Sequence, residues 1–343
     1  MTPLLSALTG DADMERLLSD EAQVAAMLAV ERALAGANAD AGFISPAAAE
    51  AIDAAIDGFA ADFDALAHGM ARDGVVVPAL LAQVRGSVAD PHGPALHKGA
   101  TSQDIVDTAL MLQLAKALEL IEGRIGDLIS RLGTLQAEHG DKPLTAHTRM
   151  QVALPTTWRP KLQSWSEPLS RHLKALAGMK RSLLVVQLGG PVGDRGSFEG
   201  HGEAIAAGMA KRLGLGIAAP WHAERDPIVG LGDALARVTG SLGKLGADVA
   251  LLAQTEVGAV TLTGGGGSSA MPHKSNPVSA EVLVALGRYN AGLAGILQQA
   301  MIHEYERSGA AWTLEWLTLP RMLVSTAAAL RLATALLDQI RIA

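Results

Sequence analysis

The stretch MLQLAKALELIEGRIGDLISRLGTL, residues 111–135, decides the fold of this 343-residue chain. Its apolar residues recur at steps of three and four: Met111, Leu114, Leu118, Ile121, Ile125, Leu128, Leu132 and Leu135. A 3.5-residue repeat places these side chains on one stripe of a helix and favours near-parallel packing against other helices. The pattern predicts a long helix near residues 102–138, which at 1.5 Å per residue is about 55 Å long.

The same spacing recurs in series that begin at Trp158 and Ile228. Five long helices are predicted, near residues 102–138, 156–180, 227–259, 277–304 and 311–341. Together they form a central domain, residues 96–343. Residues 1–95 are predicted to be a small N-terminal helical domain, with elements at 11–40, 46–57 and 60–85. No strand is predicted, so the expected fold class is all-α.

Composition limits the function classes. The chain has a formal net charge of -7, 3% aromatic residues and no cysteine. The charge makes a nucleic-acid partner unexpected, and the missing cysteines exclude disulfides and a cysteine nucleophile. No apolar run approaches a membrane span, and no signal peptide is recognisable, so a cytoplasmic protein without a membrane partner is expected. The histidines lack metal-ligand spacing, so neither a metal site nor a cofactor is predicted.

A glycine-rich loop, residues 264–277, carries the strongest chemical signal. Four glycines, Gly264 to Gly267, precede the hydroxyls of Ser268 and Ser269 and the charge of Lys274. Asn276 is predicted to be an N-cap, with Pro277 as the first residue of the following helix. A hydroxyl-bearing loop that enters a helix N-terminus suits an anion, so a carboxylate-rich small molecule is the expected substrate.

Three further polar stretches carry candidate residues. Residues 97–108 include His97, and Thr101 or Ser102 can cap the first long helix; the alternatives are a plain cap and a carboxylate cradle. Residues 147–158 contain His147, Arg149 and Gln151, which form either an ordinary polar loop or a carboxylate clamp centred on Arg149. Residues 303–308 are a solvated charged turn, or Arg307 faces a site from a neighbouring chain.

These stretches, in this order on long helices, resemble the fumarase/aspartase superfamily. The similarity lies in Gly267 to Pro277, in Thr101-Ser102-Gln103-Asp104 and in Asp107-Thr108, and covers most of residues 12–341. The resemblance implies an all-helical homotetramer with a twenty-helix core, in which three subunits build each active site. It also implies proton transfer next to a carboxylate, and it is nearest to the branch that cyclises an unsaturated tricarboxylate.

The resemblance also implies residue roles. Ser268 is the expected proton-transferring residue, and His97 the expected partner acid or carboxylate-orienting group. The substrate-binding set is Thr101, Ser102, His147, Arg149, Gln151, Ser269, Met271, Lys274, Asn276 and Arg307. Lys274 and Asn276 are expected to stabilise the aci-carboxylate intermediate, a carboxylate with two negative charges. Arg149 and Arg307 are expected to hold the other carboxylates of the substrate.

Two departures from the superfamily pattern affect the interpretation. Its lyases carry Thr-His-x-Gln where this chain has Thr148-Arg149-Met150-Gln151, which argues against cleavage of adenylosuccinate and leaves the acid open between His97 and His147. Many members continue into a small third domain that is not expected here. An elimination lyase of the superfamily and a non-catalytic protein on this scaffold remain as alternatives.

Overall fold

The computed structural model describes residues 3–267, 271 and 275–343. Its N-terminal helices are α1 (Pro3–Thr9), α2 (Ala12–Leu17), α3 (Asp20–Asp40), α4 (Pro46–Asp57), α5 (Phe63–Asp73) and α6 (Val77–Arg85). The following elements are α7 (Ser102–His139), β1 (Pro143–Thr148), β2 (Gln151–Thr157), α8 (Trp158–Leu183), α9 (Gly202–Leu213), α10 (Asp226–Leu252), β3 (Val260–Leu262), α11 (Val278–Gln299), α12 (Gly309–Gln339) and β4 (Ile340–Ile342).

The predicted bundle of five long helices is confirmed. All eight apolar residues of the 111–135 stripe are buried, and α7 packs against α8 and α12. Among the described helices, α10 and α11 make the most extensive contact with each other, and α12 packs against both. Burial of a continuous apolar stripe explains why these helices stay regular over so many turns, since packing rather than propensity supplies most helix stability.

A second apolar cluster fills the N-terminal region. It joins α3, α4 and α6 to the start of α7 and to α9, which packs along α3. Its members lie on both sides of residue 95: Met27 and Leu34 precede that position, whereas Phe198, Ile205 and Met209 follow it. The division of the chain at residue 95 stays a prediction.

The prediction of no strand is wrong. β1 and β2 form an antiparallel hairpin, and β3 pairs with β4 at the end of α12. Arg149 and Met150 make the hairpin turn with positive φ angles of 49° and 65°. The usual glycine or asparagine signal for such a turn is absent, which is why the sequence did not indicate it.

Several predicted boundaries also move. The predicted element 11–40 divides into α2 and α3 at Leu18 and Ser19, and 60–85 divides at Gly74, which has the left-handed φ of a helix end. The helix predicted near residues 227–259 starts at Asp226, with Arg225 as its N-cap, and ends at Leu252. The helix α9 was not predicted. Within the described residues, no helix combines the length and apolar character needed to cross a bilayer.

Glycines bring α10 and α11 close together. A Cβ on Gly246 would lie 2.5 Å from the carbonyl oxygen of Ala280, and one on Gly287 would lie 2.8 Å from that of Thr239. Because glycine has no side chain at these two positions, the backbones of α10 and α11 approach each other to near van der Waals contact. A larger residue at either position would force them apart.

We expect Gly246→Ala to lower the melting temperature by several degrees, because overpacking a close helix pair costs about 1–3 kcal/mol. Gly240→Ala on the same helix is the matched control, since a Cβ there meets nothing within 4 Å. The control should be neutral or slightly stabilising, because alanine favours helix more than glycine does. Equal melting temperatures for the two variants, measured by circular dichroism, would contradict this packing.

Candidate active site

His97 lies in a tight connection just before α7. It has a positive φ of 65°, and Gly99 follows with a φ of 85°. A Cβ on Gly99 would lie 2.5 Å from the Phe198 ring, so glycine is required there for packing as well as for backbone angle. Of the two caps predicted for α7, Thr101 is the N-cap, and Ser102 is the first residue of the helix. Both hydroxyls are therefore at a helix N-terminus.

Asp104 fixes the position of the glycine-rich segment 188–193. The side chain is fully buried, and its two oxygens accept four hydrogen bonds. The donors are Thr101 N at 2.9 Å, Gly189 N at 2.8 Å, Gly190 N at 2.9 Å and His222 Nε2 at 2.8 Å. This carboxylate therefore closes the N-cap of α7 and ties two separate parts of the chain, the 189–190 segment and His222, to the start of that helix.

One turn further along α7, Asp107 belongs to a buried ionic network. Arg225 donates to both Asp107 oxygens, at 2.7 and 3.1 Å, and to both Glu315 oxygens, at 2.8 and 2.6 Å. Burial lowers the pKa of Arg225, but the charges and hydrogen bonds of Asp107 and Glu315 outweigh it and raise the pKa above its usual value. Arg225 therefore stays charged and links α7, α10 and α12.

Arg307 lies at the same end of the bundle. Its Nη2 atom donates to the carbonyl of Pro191 at 3.1 Å. Pro191 directly follows Gly190, whose amide is bound to Asp104. The structure thus brings Arg307 and the glycine-rich segment to the end of α7 that carries His97, Thr101 and Ser102.

The second polar stretch lies on the β1–β2 hairpin, beyond the other end of α7. His147 is on β1, Arg149 in the turn and Gln151 at the start of β2, and all three are exposed or nearly so. They line a cavity of about 940 Å³ that α8 and the end of α10 also border. Lys161 and Lys244 contribute to its wall, next to Asp248.

The glycine-rich loop joins the bundle at the hairpin end. Thr263 N donates to the carbonyl of Gln339 at 3.0 Å, and Gly266 and Asn276 exchange two backbone hydrogen bonds, at 2.9 and 2.8 Å. The prediction that Asn276 is the N-cap is wrong, because Pro277 holds that position and Asn276 closes the loop instead. Met271 is 42% exposed. Ser268, Ser269 and Lys274 lie outside the described residues.

The candidate residues therefore form two groups in one protomer. One contains His97, Thr101, Ser102 and Arg307; the other contains the hairpin residues and Asn276. The 38 residues of α7 separate them, a length of about 57 Å. A single protomer does not bring the two groups together.

Three charged or polar residues near the first group were not predicted from the sequence. Glu31 contacts His97, His222 contacts Asp104, and Glu315 binds Arg225. A signal for Glu31 was present: it occupies a core position in the series Val24, Met27, Glu31, Leu34 and Asn38 on α3. A charged residue on an apolar stripe indicates a buried partner, because an unpaired buried charge is too costly.

The bundle of long helices, with candidate polar groups at both ends, defines a class of mainly helical bundle proteins. A family profile described as "Lyase" matches residues 2–289. The chain therefore belongs to this lyase family, within the fumarase/aspartase superfamily. The resemblance inferred from the sequence is confirmed.

Individual relatives support the same placement. The chain is 40% identical over 339 residues to a 3-carboxy-cis,cis-muconate cycloisomerase of Pseudomonas aeruginosa, covering 96% of this chain and 74% of the relative. It is 38% identical to the enzyme of that name from Acinetobacter baylyi, covering 96% and 75%. The crystal structure of the 3-carboxy-cis,cis-muconate lactonizing enzyme from Pseudomonas putida matches with a TM-score of 0.92 and 37% identity, covering 100% and 78%.

We expect Asp104→Asn to loosen the segment 188–193. An amide offers one acceptor oxygen and turns an NH2 group towards donors, so several of the four hydrogen bonds are lost, at a cost of about 2–4 kcal/mol. Hydrogen exchange followed by mass spectrometry should show faster exchange at Gly189 and Gly190. Asp127→Asn, an exposed aspartate on the same helix, should leave their exchange unchanged. Identical protection in the two variants would refute the anchoring role.

Proposed function

We propose that this chain is a 3-carboxy-cis,cis-muconate cycloisomerase. The observation that carries the proposal is the similarity to enzymes of that name, 38–40% identical over 96% of this chain for three of them. Arginine at position 149, where the superfamily's adenylosuccinate-type lyases carry histidine, agrees with a substrate that has an additional carboxylate to hold. No cofactor takes part in the proposed reaction.

The proposed reaction is an isomerisation within one tricarboxylate. A carboxylate oxygen of the substrate attacks the substrate's own double bond, which forms a C–O bond and closes a lactone. The electron pair of the double bond moves onto the neighbouring carboxylate, which becomes an aci-carboxylate with two negative charges. A proton then adds to the carbon next to that carboxylate, which restores the ordinary carboxylate. The ionised substrate thus takes up one proton, which solvent replaces on the donor, and the product 4-carboxymuconolactone keeps two carboxylates; as free acids, substrate and product have the same atoms. Because both reacting groups belong to one molecule, binding a folded conformer supplies their proximity.

The proposed residue roles are those that the resemblance to the superfamily implies, and each fits what its step requires. Two negative charges on one carboxylate need preorganised donors and cations, which we assign to Lys274, Asn276 and the N-terminus of α11. Ser268 donates the proton to carbon, and its alkoxide is tolerated only where water is excluded. Arg149 and Arg307 hold the remaining carboxylates. Thr101 and Ser102 offer hydroxyl and amide donors at the N-terminus of α7.

We infer that the complete site forms in a homotetramer from residues of three subunits. The support is the distance of about 57 Å that α7 places between the His97 group and the hairpin group. A neighbouring protomer in antiparallel orientation would bring one group next to the other. Closed symmetric assemblies make such complementary ends meet at equivalent sites. A cytoplasmic location is part of the same proposal.

An elimination lyase is the alternative, and one observation favours it. The chain is also 36% identical over 335 residues to the nitrosuccinate lyase of Streptomyces davaonensis, covering 93% of this chain and 70% of that enzyme. Elimination from a succinate derivative uses the same proton transfer next to a carboxylate but requires a leaving group in place of an internal nucleophile.

An ultraviolet assay of the purified protein tests the proposal. The protein should remove the conjugated-diene absorbance of 3-carboxy-cis,cis-muconate and should cleave neither nitrosuccinate nor adenylosuccinate. Loss of a leaving group from either of those compounds, with no change in the muconate spectrum, would establish the alternative.

We expect Ser268→Ala to lower kcat by about 10²–10⁴-fold, the contribution typical of a positioned proton donor. The oligomeric state measured by light scattering should not change. Ser87→Ala, at an exposed position after α6, serves as the control and should retain full activity. Retention of activity by Ser268→Ala would disprove the assignment of the proton donor.

A further inference from the structure

A buried glutamate on α3 contacts the candidate histidine of the central bundle. The Glu31 Oε1 atom lies 2.6 Å from His97 Nδ1, although 66 residues separate the two in sequence. Glu31 is 2% exposed, and the His97 side chain is 15% exposed. Its second oxygen, Oε2, is buried and has no hydrogen-bond partner among the described residues. The histidine is thus the partner that the described structure provides for this carboxylate.

The location of Glu31 is costly for folding. Its neighbours on the core stripe, Met27 and Leu34, are fully buried apolar residues. A carboxylate there loses its hydration, and one hydrogen bond does not offset that loss. An apolar residue would pack at the same position without this penalty. A costly charge that contacts a histidine beside a candidate site therefore points to a role in that site.

Hydrogen bonds also fix the backbone that follows His97. Asn38 Nδ2 donates to the carbonyl of Lys98 at 3.1 Å, and the Lys98 ammonium donates to the carbonyl of Phe43 at 2.8 Å. Ser197 Oγ donates to the carbonyl of Gly99 at 2.6 Å. With the main chain held directly after His97 and Nδ1 engaged by Glu31, the imidazole has one orientation, in which Nε2 is on the far side of the ring from Glu31.

His147, the competing candidate for the acid, lacks such support. Its Nδ1 atom lies 3.2 Å from the carbonyl of Thr145, a neighbour on its own strand, and the residue is exposed. A local carbonyl contact on a hairpin does not hold a ring with respect to another part of the fold. Of the two histidines, His97 is the one whose tautomer and orientation another element determines.

We propose that Glu31 is a positioning residue: it accepts the Nδ1–H of His97 and so presents Nε2 to the substrate for proton transfer or for hydrogen bonding to a carboxylate. A hydrogen bond to one ring nitrogen sets the chemistry available at the other. The catalytic consequence rests on the proposed cycloisomerase function, whereas the tautomer of His97 does not. Through Glu31, the N-terminal helices contribute to the site.

The first experiment reads the tautomer and needs no substrate. Full-length protein labelled with 15N at the histidine rings is sedimented and studied by solid-state NMR, with the His97 signals identified by their loss in His97→Gln. We expect a protonated Nδ1 in the wild-type protein and in Glu31→Gln, whose amide oxygen still accepts. In Glu31→Ala the Nδ1 proton should be lost or shared between tautomers. An unprotonated Nδ1 in the wild-type protein would overturn the proposal.

The second experiment separates positioning from stability. With 3-carboxy-cis,cis-muconate as substrate, Glu31→Ala should lower kcat by about 10²-fold while KM changes little, and Glu31→Gln should recover part of the loss. The control, Glu50→Gln on α4, removes an exposed glutamate of the same region and should match the wild type. If both Glu31 variants match this control in kcat and differ only in melting temperature, the residue is merely structural.

The two experiments also separate this proposal from the proposed function. A wild-type protein that leaves the muconate unchanged refutes the cycloisomerase assignment, and the NMR result then decides by itself whether Glu31 positions His97. A Glu31→Ala protein that fails to fold does not end the test, because Glu31→Gln keeps the shape of the side chain.

Discussion

The length and rigidity of α7 constrain everything else in this structure. Its buried apolar stripe keeps 38 residues in one uninterrupted helix, so the polar groups at its two ends are held about 57 Å apart. Arg131 at one end pairs with Asp338, and Asp107 at the other contacts Trp312, so α12 runs parallel to α7 along its whole length. Because packed helices of this kind do not bend enough to bring their ends together, one protomer keeps the two polar groups apart, and this separation is the basis of the proposed oligomeric site.

Buried charges organise the His97 end. Asp104, Arg225 and Glu315 are almost completely removed from water, and each is satisfied by several partners. Such networks add little net stability compared with an apolar core, but breaking one leaves an unpaired charge. Their effect is to fix the glycine-rich segment, the start of α7 and the start of α12 in one arrangement. Glu31 is a further buried carboxylate at this end, and it contacts the ring of His97.

The sequence predicted the long helices well because their apolar repeat is determined by burial alone. Residues 111–135 and the series from Ile228 needed no knowledge of distant contacts. The β1–β2 hairpin was missed because its turn uses Arg149 and Met150 at positive φ, which no local preference favours. The N-cap prediction for Asn276 is wrong because a backbone bridge to Gly266, ten residues earlier, outweighs the local tendency to cap a helix.

The candidate site was predicted only in part, for a physical reason. Motifs singled out His97, Thr101, Arg149 and the loop, but the residues that contact His97 and the start of α7 lie far away in sequence. Glu31 and His222 contact their partners through tertiary packing, which a single sequence reveals only as a charge or an imidazole among apolar neighbours. The proposed choice of His97 over His147 therefore rests on contacts rather than on spacing.

Complementation between two inactive variants tests most directly the claim that each site draws residues from several protomers. His97→Gln and Ser268→Ala chains, each inactive alone, are mixed after unfolding and refolded together, with wild type refolded in parallel. Random assembly in a symmetric oligomer should restore about one quarter of wild-type activity, because some sites then receive an intact His97 and an intact Ser268 from different chains. A mixture no more active than its separate components would contradict the account.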